Sequence, residues 1–282
     1  MAIRILTDTG SDCEIKEMKK MGCTIIPMSL TYGDQVYLDG EEIKREEFYD
    51  RLLTKKEIPV TSQPSPEQFL KEFRAAKEAG DSVVAVLISS ALSGTFQSAV
   101  IAKEMAEYDE IYLVDSMTAT AGIQVLVETA CHMRDQGVAA KEIAAQLEML
   151  KKKVRVLAVV DTLEYLYKGG RMTRAQAGIG TLANIKPVIT LTKEGTVGIV
   201  SKSIGRKRAS RMLLEQLEKT QIDQTYPAYF IYSADKINCM NFRSELETRM
   251  LLDDCSKMKE IGPTIGTHIG GGAFGIVFVE NR

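Results

Sequence analysis

The stretch SVVAVLISSALSGTFQSAVIAKEMAEYDEIYLVD, residues 82–115, decides the fold. An unbroken apolar run, SVVAVLIS, gives way to a passage crowded with hydroxyls. An amphipathic segment, TFQSAVIAKEMAEY, comes next, and a second apolar run, EIYLVD, closes it. Short apolar runs joined by longer amphipathic ones are the pattern of parallel strands covered by helices. The alternation extends both ways, to IRIL and CEIKEMKKMG near the N-terminus and to ATAGIQVLVETACHMRDQG after residue 115. The N-terminal half therefore reads as a Rossmann-like α/β/α domain on a parallel sheet.

Between the first two units, 31–58 is a charged excursion, for which Asp39-Gly40 predicts a hairpin followed by a short helix. A helix over 139–152 ends in lysines just before a new strand, VRVLAVV, and the domain boundary is set near 153. The expected domains are thus 1–153 and 154–282. In the second, KPVITLTKEGTVGIVSKSI reads as two alternating strands around Lys193-Glu194-Gly195, a hairpin that a purely parallel sheet would lack. A helix near 206–219, a strand in AYFIYSA, a helix near 238–250 and a glycine-rich passage ending in GIVFVE complete a two-layer α/β domain with antiparallel strands. No internal repeat or low-complexity tract interrupts the chain.

With 282 residues, 45% of them hydrophobic, the chain can fill two cores. Lys and Arg number 36 against 38 Asp and Glu, a net charge of −2, so no global basic field exists to hold nucleic acid or an anionic membrane. The five cysteines, Cys13, Cys23, Cys131, Cys239 and Cys255, are odd in number and form no C-x-x-C pair. Reduced thiols in a cytoplasmic protein are the expectation. The apolar run in MAIRILTDTG is too short for a signal peptide, and no segment reaches the length of a membrane span, so neither export nor stable membrane insertion is expected.

Several chemical readings fall away. Gly270-Gly271-Gly272-Ala273-Phe274-Gly275 satisfies G-x-G-x-x-G, but a dinucleotide fingerprint needs a helix after it and an acid about twenty residues on. Only a strand follows here. Walker A, G-x-S-x-G and H-E-x-x-H sequences are absent, and His132 and His268 are the only histidines. No cofactor, nucleotide or metal is expected. Asp8 and Asp12 in TDTGSD read as a loop brace and a helix cap respectively. In TSQPSPEQF, Ser65, Pro66 and Gln68 make a capping box, which leaves Thr61 and Ser62 free to line a pocket.

The run SSALSGTFQSA carries more. A strand delivers Ser89 and Ser90 to its end, and Ser93 and Thr95 flank Gly94 at a helix entrance. One cap explains one hydroxyl, not the cluster, and the C-terminal edge of a parallel sheet is where such folds bind ligands. In DTLEYLYKGGRMT a short helix ends at Gly169-Gly170, leaving Arg171 as a surface charge or an anion contact. His268 follows glycines and lies on no apolar helical face.

Together TDTGSD, TSQPSP, SSALSGTFQSA, DTLEYLYKGGR and IGTHIGGGAFGI, in this order over nearly the whole chain, resemble the DegV family of bacterial fatty-acid-binding proteins. The family commonly has serine where this chain has Thr9 and Gly-Pro-Gly where it has Gly270-Gly271-Gly272. The resemblance implies a long-chain fatty acid held between the two domains, its carboxylate near Thr61, Ser93 and His268. Ser62, Gly94, Thr95 and Gly270 complete the expected ligand contacts. Some members present the carboxylate to a separate ATP-dependent fatty acid kinase subunit, which makes the acyl phosphate. Arg171, Lys202 and Arg206 are the expected contacts to that partner or to the transferred phosphoryl group. The competing expectation is a small-molecule hydrolase or transferase with Ser93 as nucleophile and His268 as base.

Overall fold

The computed structural model describes residues 2–177, 184–249 and 256–281. Cys255 and the last residue of the helix expected near 238–250 lie outside these. The first half contains β1 (Ile3–Asp8), β2 (Cys23–Ile26), β3 (Ser29–Tyr32), β4 (Gln35–Leu38), β5 (Val60–Ser62), β6 (Ser82–Leu87) and β7 (Ile111–Asp115). The second contains β8 (Val154–Val159), β9 (Ile185–Leu191), β10 (Val197–Ile204), β11 (Tyr229–Tyr232), β12 (Lys257–Glu260) and β13 (Phe274–Val279).

Four strands form an all-parallel sheet in the order β2-β1-β6-β7. Every residue of β6 is buried because the strand is covered on both faces, which is why SVVAVL is continuously apolar. Val83, Ala85 and Leu87 meet Phe69 and Phe73 of the helix Pro66–Ala79 and Ala99 of the helix Thr95–Ala106. Val84 and Val86 face the other way, toward Ile123 and Leu126 of the helix Ala121–Asp135. The cap expected at Ser65 is present: its N–H donates to Gln68 Oε1 at 2.8 Å.

The charged excursion forms its own sheet, β4-β3-β5. Its hairpin turns at Gly33-Asp34, not at Asp39-Gly40, because Tyr32 pairs with Gln35 and leaves a two-residue loop. Gly33, with φ +58°, stands at the first central position, where a II′ turn places glycine. Asp39-Gly40 instead forms a tight turn beyond β4, bridged from Asp39 to Ile43.

The second half is a mixed sheet, β10-β9-β8-β13-β11-β12, antiparallel throughout except for β11 with β12. The hairpin expected at Lys193-Glu194-Gly195 joins β9 to β10. The helices Arg206–Leu217 and Ile237–Arg249 cover one face, burying Leu213, Leu214, Phe242 and Leu246 against Phe230, Ile276 and Phe278. The opposite face, with Val156, Ala158, Ile189 and Val277, turns toward the first half and shares its core. Two layers of one half thus meet the C-terminal edge of the parallel sheet in the other.

Candidate ligand-binding site

A cavity lined almost wholly by apolar side chains lies where the halves meet. Ile88 and Leu92 come from the loop after β6, Ala119 and Thr120 from the loop after β7, and Met28 and Thr61 from the small sheet side. The mixed sheet supplies Val156, Ala158, Ile189 and Leu191. The alternation along β8 sends Val156 and Ala158 inward, as the pleat requires.

Polar groups gather at one end. Thr61 Oγ1 and His268 Nε2 are 2.9 Å apart, joining residues 207 positions distant in sequence. Ser93 Oγ lies 2.8 Å from Thr95 Oγ1, and both are buried. Burial first, and then the nearby charge of Arg171, pulls the His268 imidazole down to about 4, so the ring is neutral at pH 7. Its Nδ1 is buried and makes no hydrogen bond. If the ring proton sits on Nε2 and is donated to Thr61, the threonine hydrogen is free to donate into the cavity. Arg171 fixes this end: Nε donates to the Leu92 carbonyl at 2.9 Å and Nη1 to that of Gly169 at 2.6 Å. Gly169 is required by His268 itself, since a Cβ there would lie 2.1 Å from Nδ1.

His268 does not follow a flexible glycine passage. It lies in a short helix, Pro263–Ile269, with Pro263 in the first turn and Gly262 as N-cap. Five of its seven residues are buried, so it has no polar face whose period could reveal it in the sequence. Two carboxylates from the other half hold its N-terminus. Asp12 Oδ1 accepts from Gly262 N at 2.8 Å, and Asp39 Oδ2 accepts from Thr264 N at 3.1 Å and from the Thr264 hydroxyl. Asp12 was expected to cap a neighbouring helix, but Glu14 occupies that position and Asp12 reaches across the interface. Asp39 is fully enclosed, and burial raises its carboxyl to about 7. Asp8 braces its loop as expected, accepting from Gly10 N and Ile88 N at 2.8 Å each.

Thr61, Ser93, Arg171 and His268 therefore converge on the cavity. Ser62 is exposed and points away, as its neighbour Thr61 points in. Gly94 and Gly270 lie outside the lining, packed against the side chains of Gln63 and Tyr165. Thr95 touches it only through Ser93. Ser89 is a strut, donating to the Gly195 carbonyl at 2.9 Å. Thr120 and Thr264 also line the cavity, and nothing in their sequence setting marks them. Thr120 has φ +52°, an unusual conformation for a β-branched residue and one that clusters at functional sites.

Among the described residues, Cys13, Cys23, Cys131 and Cys239 are buried and free. No group of His, Cys, Asp and Glu among them is arranged to hold a metal, and no helix among them is long and apolar enough to cross a membrane.

Residues 2–281 match the family described as "Uncharacterised protein, DegV family". A DegV domain-containing protein of Caldanaerobacter subterraneus is 35% identical over 283 residues, covering 99% of both chains. A DegV family protein from Thermus thermophilus, solved in a study of its fatty acid binding, superposes with a TM-score of 0.89 at 33% identity, covering 99% of this chain and 100% of that one. A stearic acid-binding protein from Eubacterium ventriosum superposes with a TM-score of 0.86 at 26% identity, covering 99% and 98%.

Proposed function

The chain belongs to the DegV family, and from that premise we propose that it binds a long-chain fatty acid and presents its carboxylate to a separate ATP-dependent kinase. One observation carries the reading: an apolar cavity with Thr61, Ser93, Arg171 and His268 brought together at one end. Burying a tail of about fifteen carbons contributes about 12 kcal/mol at about 0.8 kcal/mol per methylene, before the cost of association. The carboxylate, taken out of water, needs donors in compensation. Thr61 and Ser93 supply hydroxyls, and Arg171 supplies positive charge.

The hydrolase reading has less support. Ser93 is bonded to Thr95 and His268 to Thr61, so nucleophile and base are not joined, and no carboxylate stands behind Nδ1. The test is mass spectrometry of the purified protein, native and after organic extraction. A stoichiometric, noncovalent fatty acid is expected. An empty protein that also fails to take up added fatty acids would end the proposal, and acylation of Ser93 by a reactive ester would favour the enzyme.

The kinase belongs to the same proposal, as does a cytoplasmic setting for the encounter. Lys202, Lys207, Arg208 and Arg211 are exposed on β10 and the helix Arg206–Leu217, while Arg206 is paired with Asp161 at 2.5 Å. Cations at a docking face near the cavity would stabilise charge on a transferred phosphoryl group. Reversing Lys202 and Arg206 to glutamate is expected to abolish kinase-supported acyl phosphate formation while fatty-acid binding persists. Equal phosphorylation of variant and parent would remove this stretch from the mechanism.

A further inference from the structure

The end of the cavity opposite the polar cluster is closed by one hairpin. Along β8 the inward side chains run from Val160, beside Leu166 and Arg171, through Ala158 to Val156, about 13 Å away at roughly 3.3 Å per residue. Ala158 pairs with Ile189, and continuing that register sets Val156 beside Leu191. Leu191 in turn pairs directly with Val197 across the β9–β10 hairpin. Both line the cavity beside Thr190, whose hydroxyl donates to the Leu191 carbonyl at 3.3 Å.

The tip of the hairpin is pinned. Thr192 N donates to Thr196 O at 2.8 Å and Gly195 N to Thr192 O at 2.9 Å, closing the turn. Ser89, fully buried, then ties the Gly195 carbonyl to the end of β6. The fit leaves no space: a Cβ on Gly195 would lie 2.1 Å from Ser89 Oγ and 3.2 Å from Met117 Cα. Beyond this wall a surface cleft begins, and Thr190 and Leu191 line both the cleft and the cavity. Met117 and the exposed Met149 continue the cleft outward. Thr190 and Leu191 are therefore the wall that the cavity and the cleft share.

We propose that the β9–β10 hairpin is the chain-length stop of the acyl site, with Leu191 and Val197 as the specificity-determining residues, an inference that rests on the fatty-acid reading above. The pinned tip makes the stop rigid, so an acid whose tail outruns the row Val156–Leu191–Val197 has to displace the Ser89 contact to enter. Opening the wall at Leu191 lets a longer tail pass toward Met117 and Met149. Adding bulk there shortens the site.

The test is competition binding by the delipidated full chain against saturated acids of about fourteen to twenty-two carbons, for the parent, Leu191→Ala, Val197→Ala and Leu191→Phe. Relative to the parent's preferred acid, the longest acids are expected to gain at least tenfold in Leu191→Ala, with a smaller gain in Val197→Ala. In Leu191→Phe the preferred length falls. The opposed directions keep the test decisive, since general loosening of the fold would lower affinity for all lengths alike. A parent that binds none of the acids overturns the fatty-acid reading. A parent that binds them, with the same length preference in Leu191→Ala and Leu191→Phe, overturns the hairpin stop alone.

Discussion

Thr61→Val is expected to weaken fatty-acid binding by about 1.5–3 kcal/mol, roughly a ten- to hundredfold rise in Kd, without unfolding the protein. The exchange is close to isosteric, so it removes the hydroxyl and little else. It also breaks the bond to His268 Nε2, and because Nδ1 makes no hydrogen bond in the parent, the buried ring is left with none. Ser93→Ala is expected to act in the same range, because its Oγ stands with Thr95 at the cavity wall. Titration calorimetry on delipidated protein measures both, and unchanged affinity in both variants would place the head group elsewhere. His268 reports on the same event. Burial and the charge of Arg171 pull its imidazole down to about 4, and a carboxylate brought beside it favours the imidazolium, so its pKa rises on binding. A proton resonance of the ring followed against pH, with and without ligand, shows that shift.

Gly275→Val is expected to cost at least about 3 kcal/mol of stability, the upper part of the range for overpacking. A Cβ at 275 would lie 2.2 Å from the Leu157 carbonyl oxygen and 2.6 Å from the Ala158 Cα. These are backbone atoms of the neighbouring strand, where Gly275 pairs with Ala158, and no rotamer change relieves them. Urea unfolding monitored by far-UV circular dichroism gives the comparison, with Ile237→Ala, on the exposed side of its helix, as the control expected within about 0.5 kcal/mol of the parent. Parental stability in Gly275→Val would mean that β8 and β13 are not paired in this register.

The parallel strands were legible because burial on both faces writes itself as an apolar run, and the β9–β10 hairpin because its turn residues interrupt two alternating strands. The Asp39-Gly40 hairpin was misplaced because Gly33-Asp34, six residues earlier, carries an equal turn signal, and only strand pairing chooses between them. β12 escaped notice since Lys257 and Lys259 suggest solvent, yet Lys259 is buried, donating to Gln124 Oε1. The hydroxyl-rich loops did mark Thr61 and Ser93. They did not distinguish Ser93, at the cavity, from Ser89, which holds a hairpin, because that difference is made by Gly195, 106 residues away. The same limit hid Asp12 and Asp39: an acid that caps a distant helix looks in sequence like one that caps its own.

Those two carboxylates also govern when the site comes into being. Asp12 waits for Gly262, 250 positions later, Asp39 for Thr264, 225 positions later, and Thr61 for His268. Synthesis runs from the N-terminus at about 5–20 residues per second, so the 250 intervening residues occupy roughly ten to fifty seconds. Once β7 has been made the parallel sheet can assemble from its own contiguous segment, but the residues it contributes to the cavity have no second half to cover them. Until that half has been made the chain carries one wall of the cavity and lacks the imidazole at its polar end. On the proposed function, acyl capture has to wait until residues 262–268 have been made.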